Sequence, residues 1–197
     1  MKNLGILISG RGSNFEAIAQ AVSAGTIPAR ITLVASDRAE AAGLNRARQM
    51  GFEAVCVPSK NRPREEFEQE LLAALKSGRA DIVCLAGFMR VLSPLFVRSF
   101  PGPILNIHPS LLPSFPGLDA QKQALEYGVK FSGCTVHLVD EGVDSGPVVL
   151  QAVVPVLDGD TVETLSMRIL QEEHRIYPEA VRLVAEDKIK VGWPLRR

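Results

Sequence analysis

Short, almost unbroken apolar runs alternate with helical patterns through the first half of the chain, and nothing else in it restricts the fold as much. Leu4–Ser9 (LGILIS), Ile31–Ser36 (ITLVAS), Ala54–Val57 and Asp81–Ala86 (DIVCLA) read as buried strands. Between them, Ser13–Ala24, a segment from about Ala39 to Met50, and Pro63–Lys76 carry helical spacing. The last has proline near its first turn and an acidic start, both suited to a helix N-terminus. Strand–helix alternation at this period requires parallel strands joined by right-handed crossovers. The expected fold is α/β: a doubly wound, mostly parallel sheet with helices on both faces. In such sheets ligands bind beyond the carboxyl ends of the strands. The segments Gly10–Asn14, Gly87–Leu92 and Asn106–Pro109 are each expected to follow a strand and to converge there.

The second half is patterned differently. Prolines at 101, 103, 109, 113 and 116 prevent Pro101–Pro116 from being regular helix or central strand throughout. A short helix near Ala120–Tyr127 precedes two strand-like runs, Gly133–Val139 and Pro147–Pro155, flanking the loop Asp140–Gly146 (DEGVDSG). An antiparallel C-terminal addition to the sheet is expected from them. Thr161 opens a helix running to about Ala185. A length of 197 residues predicts one domain over 1–197, with the tail ending soon after Trp193-Pro194-Leu195.

Lys plus Arg and Asp plus Glu both total 22, so the formal net charge is zero. Binding to nucleic acid usually requires a basic face, so no such partner is expected. Cys56, Cys84 and Cys134 lie apart in apolar runs without CxxC spacing; they read as small core residues rather than a disulfide set or a zinc site. No secretory h-region and no apolar stretch approaching the ~20 residues of a membrane span is present. The expectation is a soluble, cytoplasmic protein without membrane or metal, either monomer or homodimer.

Three constellations could carry chemistry. Ser9–Asn14 (SGRGSN) has two glycines at a strand-to-helix junction. It reads either as a tight turn in which Ser13 or Asn14 caps the helix, or as a phosphate loop using the free N–H groups of the helix start. Phe15 stands where a dinucleotide fingerprint needs glycine, which also weakens Asp37 as a ribose-binding acid. In Asn106-Ile107-His108-Pro109, alternation along an extended chain puts Asn106 and His108 on one side. An amide and an imidazole so placed suit a carbonyl that must become an oxyanion, and the imidazole can also move protons. His137 and His174 lack polar partners at suitable spacing and are expected to be structural. The loop Asp140–Gly146 can deliver a carboxylate, Asp144, to an imidazole. No nucleophile elbow and no HExxH is present, so covalent and zinc chemistry are not expected.

The run Asn106–Pro113 (NIHPSLLP), then Gly117, then Asp144 within DEGVDSGP, resembles the signature of the folate-dependent formyltransferases. SGRGSN, Leu85–Ser93 (LAGFMRVLS) and the EEH…YP run at Glu172–Pro178 extend the resemblance over nearly the whole chain. It is strongest to the branch that formylates glycinamide ribonucleotide in purine synthesis. The resemblance implies Asn106, His108 and Asp144 as catalytic residues, with Asp144 favouring the charged form of His108. It also implies Gly12, Ser13 and Asn14 at the ribonucleotide phosphate, and Pro109 and Glu173 toward its ribose and glycinamide. Arg64, Met89, Arg90, Val91, Leu92, Asn106, Val139, Asp140 and Asp144 would surround the folate. The co-substrate implied is 10-formyltetrahydrofolate, and the partners are small molecules only. The substrate amine is then the nucleophile, so the chain needs no serine or cysteine of its own for that step. Alternatives are a formyltransferase acting on another phosphate-bearing amine and a non-catalytic folate-binding module.

Overall fold

The computed structural model describes residues 1–189; residues 190–197, including Trp193-Pro194-Leu195, lie outside the described part. In chain order the elements are β1 (Lys2–Ile8), α1 (Ser13–Ser23), β2 (Ala29–Ser36), α2 (Ala42–Gln49), β3 (Ala54–Cys56), α3 (Arg64–Ser77) and β4 (Ile82–Leu85). They continue as α4 (Pro94–Ser99), β5 (Ile104–His108), α5 (Ala120–Tyr127), β6 (Phe131–Leu138), β7 (Val148–Pro155) and α6 (Val162–Ala185). The strands form one sheet in the order β3-β2-β1-β4-β5-β6-β7. Pairings from β3 through β5 are parallel, while β5–β6 and β6–β7 are antiparallel.

The strand order follows from handedness. Right-handed crossovers carry the chain outward from β1 to β2 and β3, with α1 and α2 on one face. The chain then returns past β1 to β4 and β5, which puts α3 and α4 on the other. The buried side chains divide accordingly. Leu4, Ile6 and Ile8 of β1 pack with Phe15 and Ile18 of α1, Leu44 of α2 and the apolar side of α6. Leu7, on the opposite side of the same strand, joins Phe67, Leu71 and Leu75 of α3 and Phe96 of α4. Coverage on both faces is why β1 reads as a continuous apolar run rather than an alternating one. β7, at the sheet edge, has the alternating exposure of a half-covered strand.

The sequence pattern locates α5 and α6 closely. Thr161 caps α6 in a reciprocal capping box with Thr164. One element escapes the pattern: α4 is too short to show a period, though Ser93 accepts a hydrogen bond from Phe96 N at 3.1 Å and Pro94 opens the helix. That Ser-Pro pair was an available start signal. Asn106 and His108, expected on one side of an extended strand end, lie in the last three residues of β5. Pro103 and Pro109 flank that strand without breaking it, because each lies just outside the paired residues. Cys84 and Cys134 are core residues, and burial pushes both thiols up to about 12; Cys56 is only half-buried.

Tyr177 of α6 ties the centre of the sheet to its covering helix. Its ring is fully buried and its hydroxyl lies 3.0 Å from the carbonyl oxygens of both Leu85, the last residue of β4, and Leu105, in the neighbouring β5. Replacing it by alanine leaves a large void under those strands. Tyr177→Ala is therefore expected to lower unfolding free energy by about 3–5 kcal/mol, read as an earlier urea midpoint with an unchanged slope.

Candidate active site

Antiparallel pairing of β5 with β6 sets His137 directly opposite Asn106. Asn106 Nδ2 lies 3.1 Å from His137 Nε2 and 3.5 Å from Asp144 Oδ1. Asp144 comes from the loop between β6 and β7 and has a left-handed backbone, φ 51°. Its Oδ2 accepts from Gly117 N at 2.8 Å and lies 3.3 Å from His108 Nδ1; its Oδ1 is 3.5 Å from His137 Nε2. One carboxylate thus gathers an amide, two imidazoles and a backbone N–H. Burial raises the Asp144 carboxyl, but the Gly117 N–H and the His108 charge beside it outweigh that and hold it below its ordinary value.

Carbonyl partners fix the ring protons. His108 Nε2 lies 2.8 Å from Phe115 O, and His137 Nδ1 lies 3.0 Å from Leu138 O. A carbonyl can only accept, so both of those nitrogens carry protons. His137 Nε2 then accepts from Asn106. His137 is accordingly part of the polar cluster, contrary to the expectation that it is merely structural. The missed signal lay in strand pairing: a register unknown from sequence decides which residue faces Asn106.

The cluster forms part of the wall of a cavity of about 400 Å³. Met89, Arg90, Val91 and Leu92 line another side, with Pro109, Val139 and Asp140 also at its surface. Met89 and Val91 are exposed there, and so are Leu118 and Val143 across the opening. Solvent-facing apolar side chains around a polar end suit a flat, partly polar ligand. Asp140 Oδ1 also accepts from Gly142 N at 3.0 Å and Ser145 Oγ at 2.8 Å, tightening its own loop. Gly146 closes the loop where a Cβ would sit 1.8 Å from Leu138 O, a space no other residue can use. Arg64 does not line the cavity. It bonds Glu68 at 3.1 Å and the carbonyl of Val91, supporting the Met89–Leu92 segment from behind.

The residues expected around a ribonucleotide divide between two places. Pro109 lines the cavity, whereas Gly12, Ser13, Asn14 and Glu173 gather at the start of α1 and the flank of α6. Gly12 is the N-cap of α1, with φ 79° and a virtual Cβ 2.9 Å from Gly43 Cα, so both its conformation and its contact require glycine. No side chain caps the helix, which corrects the expectation for Ser13 and Asn14. Asn14 is instead committed to Glu173: Nδ2 donates to Oε2 at 2.7 Å, while its buried Oδ1 finds no protein partner. His174 faces a second hollow beside Ser13 and Pro178. Among the described residues no cluster of three His, Cys, Asp or Glu could hold a metal, and no helix is long and apolar enough to cross a membrane.

A doubly wound sheet with an antiparallel extension, and a carboxylate–imidazole–amide cluster beside an apolar cavity, define a class of ligand-binding α/β proteins. The chain belongs to the formyl transferase family, whose profile matches residues 2–181. Phosphoribosylglycinamide formyltransferase of Escherichia coli is 44% identical over 96% of this chain and 90% of its own length. The trifunctional purine biosynthetic protein adenosine-3 of Drosophila pseudoobscura is 50% identical over 96% of this chain, which spans only 14% of that longer protein. The crystal structure of glycinamide ribonucleotide transformylase 1 from Symbiobacterium toebii superposes with a TM-score of 0.94 at 55% identity, covering 98% of this chain and 92% of that one.

Glu173 gives a test of the second region. Burial pushes its carboxyl above the ordinary value, only partly offset by the bond from Asn14. A carboxyl raised in the folded state weakens stability as pH climbs from its unfolded value through its folded one. Glu173→Gln keeps an acceptor for Asn14 and removes the titration. Its melting temperature is expected to gain on that of the wild-type protein as pH rises above the ordinary glutamate range; a gap independent of pH contradicts the assignment.

Proposed function

We propose that the chain transfers the formyl group of 10-formyltetrahydrofolate to the amine of 5'-phosphoribosylglycinamide, a step of purine synthesis. The observation that carries this reading is the meeting of Asn106, His108 and Asp144 at the wall of the apolar cavity, within 3.5 Å of one another through the Asp144 carboxylate. The relatives named above support the choice of acceptor. On this reading the protein works as a soluble cytoplasmic enzyme of one domain, without metal, as a monomer or homodimer.

The proposed chemistry is direct acyl transfer. The substrate amine attacks the formyl carbon, and the carbonyl oxygen takes up negative charge. As the new C–N bond is completed, the bond to the folate nitrogen breaks. The amine loses one proton, and the departing nitrogen gains one. Asn106 has two N–H bonds: one is engaged by His137, and the other reaches Asp144 only at 3.5 Å. That long contact is readily exchanged for a ligand oxygen. Asp144 balances the charge on His108 when both ring nitrogens hold protons. His108 Nε2 is occupied by Phe115 O, so donation to a ligand oxygen requires the ring to release that carbonyl.

Met89, Arg90, Val91 and Leu92 are assigned to the folate, with Val139, Asp140 and Asp144 facing them and Arg64 as support. Apolar side chains can hold the flat ring system while the exposed backbone reads its polar edge. Gly12, Ser13 and Asn14 are assigned to the phosphate, where the unpaired N–H groups of the α1 start favour an anion. Pro109 and Glu173 are assigned to the ribose and glycinamide end.

A formyl-transfer assay with 10-formyltetrahydrofolate, run with and without glycinamide ribonucleotide, tests the reading. Tetrahydrofolate is expected only when the ribonucleotide is present; release without it makes the protein a hydrolase instead. Loss of one donor to a developing oxyanion typically costs about 3–4 kcal/mol in the barrier. His108→Ala and Asp144→Ala are each expected to reduce kcat by about 10²–10³-fold with native circular dichroism. Near-normal rates in both variants overturn the catalytic assignment.

A further inference from the structure

A buried polar junction sits behind the cavity, built from Ser9, Asp37 and Ser59, to which the proposed chemistry gives no role. Ser9 lies just past β1, Asp37 just past β2, Ser59 beyond β3 and Met89 beyond β4. All four therefore meet at the carboxyl ends of the parallel strands, where the strand order turns from outward to inward. Ser9, Asp37 and Ser59 are all buried, at 3%, 5% and 8% exposure. Ser9 Oγ donates to Asp37 Oδ1 at 2.6 Å, and Ser59 Oγ donates to Asp37 Oδ2 at 3.0 Å. Met89 N in turn donates to Ser9 Oγ at 2.8 Å, while Ser9 N donates to Gly87 O at 3.1 Å.

The chemistry of the groups fixes the direction of every bond. An ionised carboxylate can only accept, so the single hydroxyl proton of Ser9 is drawn to Asp37. The lone pairs of Ser9 are then left facing the N–H of Met89. Without Asp37 the hydroxyl is free to rotate its proton elsewhere, and the acceptor for Met89 is no longer held in place. The same serine begins the turn Gly10–Asn14. It thus joins the backbone at the α1 start to the Gly87–Leu92 segment by two bonds.

We propose that Ser9 and Asp37 are positioning residues: together they hold the Gly87–Leu92 segment in the shape that receives the folate. The inference rests on the folate reading of this cavity. Met89 and Val91 are exposed and have little packing of their own to fix them. Precise placement of such a wall depends on support from behind, which Ser9 supplies at Met89 as Arg64 does at Val91. Both oxygens of Asp37 are engaged by serines, which ties it to this junction.

Calorimetric titration with tetrahydrofolate, paired with steady-state kinetics and melting curves, separates positioning from simple stabilisation. Ser9→Ala and Asp37→Ala are expected to weaken tetrahydrofolate binding by about tenfold, the scale of one lost buried hydrogen bond. The KM for the formyl donor rises in parallel, while kcat and the KM for the ribonucleotide change by less than about twofold. Asp37→Asn can turn its amide oxygen to Ser9 and its NH2 to Ser59, preserving the direction of the Ser9 bond while Ser59 becomes the acceptor, and is expected to bind close to wild type. Wild-type binding in both alanine variants overturns the proposal. So does an Asp37→Asn variant as weak as Asp37→Ala, or an equal fall in all kinetic constants that tracks melting temperature. A wild-type protein that binds no tetrahydrofolate overturns the folate reading itself, an outcome visible before any variant is compared.

Discussion

The two oxygens of Asp144 are the constraint on which the rest of the site depends. One accepts from Gly117 N and faces His108; the other faces His137 and Asn106. A largely buried carboxylate is stable only where hydrogen bonds and charge replace its lost water, and here the replacement comes from three separate parts of the chain. β5 supplies the amide and one ring, the segment after the proline-rich run supplies the N–H, and His137 of β6 engages the amide in turn. Removing any one leaves the carboxylate under-satisfied, so these parts are energetically coupled as well as adjacent. The lowered pKa of Asp144 is the electrostatic sign of that coupling.

The sheet explains why these groups can meet. Up to β5 every strand is parallel, so every strand's carboxyl end opens on the same edge. β6 runs the other way, and its carboxyl end leaves the sheet in the opposite direction. Antiparallel pairing sets His137 level with Asn106 and starts the 139–147 loop beside the cavity, close enough for Asp144 to return over His108. An all-parallel continuation would need a crossover helix at that point and would carry the acidic loop away. The outer, half-covered β7 completes the hairpin that supports this return.

A second junction, at the turn in strand order between β1 and β4, serves the other wall of the cavity. Parallel strands diverge there, and the backbone beyond them is held by side chains rather than by sheet pairing. Ser9 and Asp37 bridge that gap. Both junctions follow one design: a buried carboxylate accepts several bonds and thereby fixes the direction of the donors around it.

The parallel half of the fold was legible because its strands are covered on both faces and therefore written as apolar runs, with Thr161 and Ala120 marking later helix starts. Asn106, His108 and Asp144 stood out as polar groups in a context that demanded explanation. The short α4 was not legible by periodicity, since six residues barely complete one pattern. Nor was the part played by His137, because a histidine inside a strand looks alike whether it faces a core or a site. The division has one physical cause. Burial and local backbone preference act over a few residues and leave their record in the sequence, so it determined the strands, the helices and the candidate groups by itself. Register, the contacts of Asp144 and the direction of the Ser9–Asp37 bonds join residues tens of positions apart, and only the packed tertiary structure decided them.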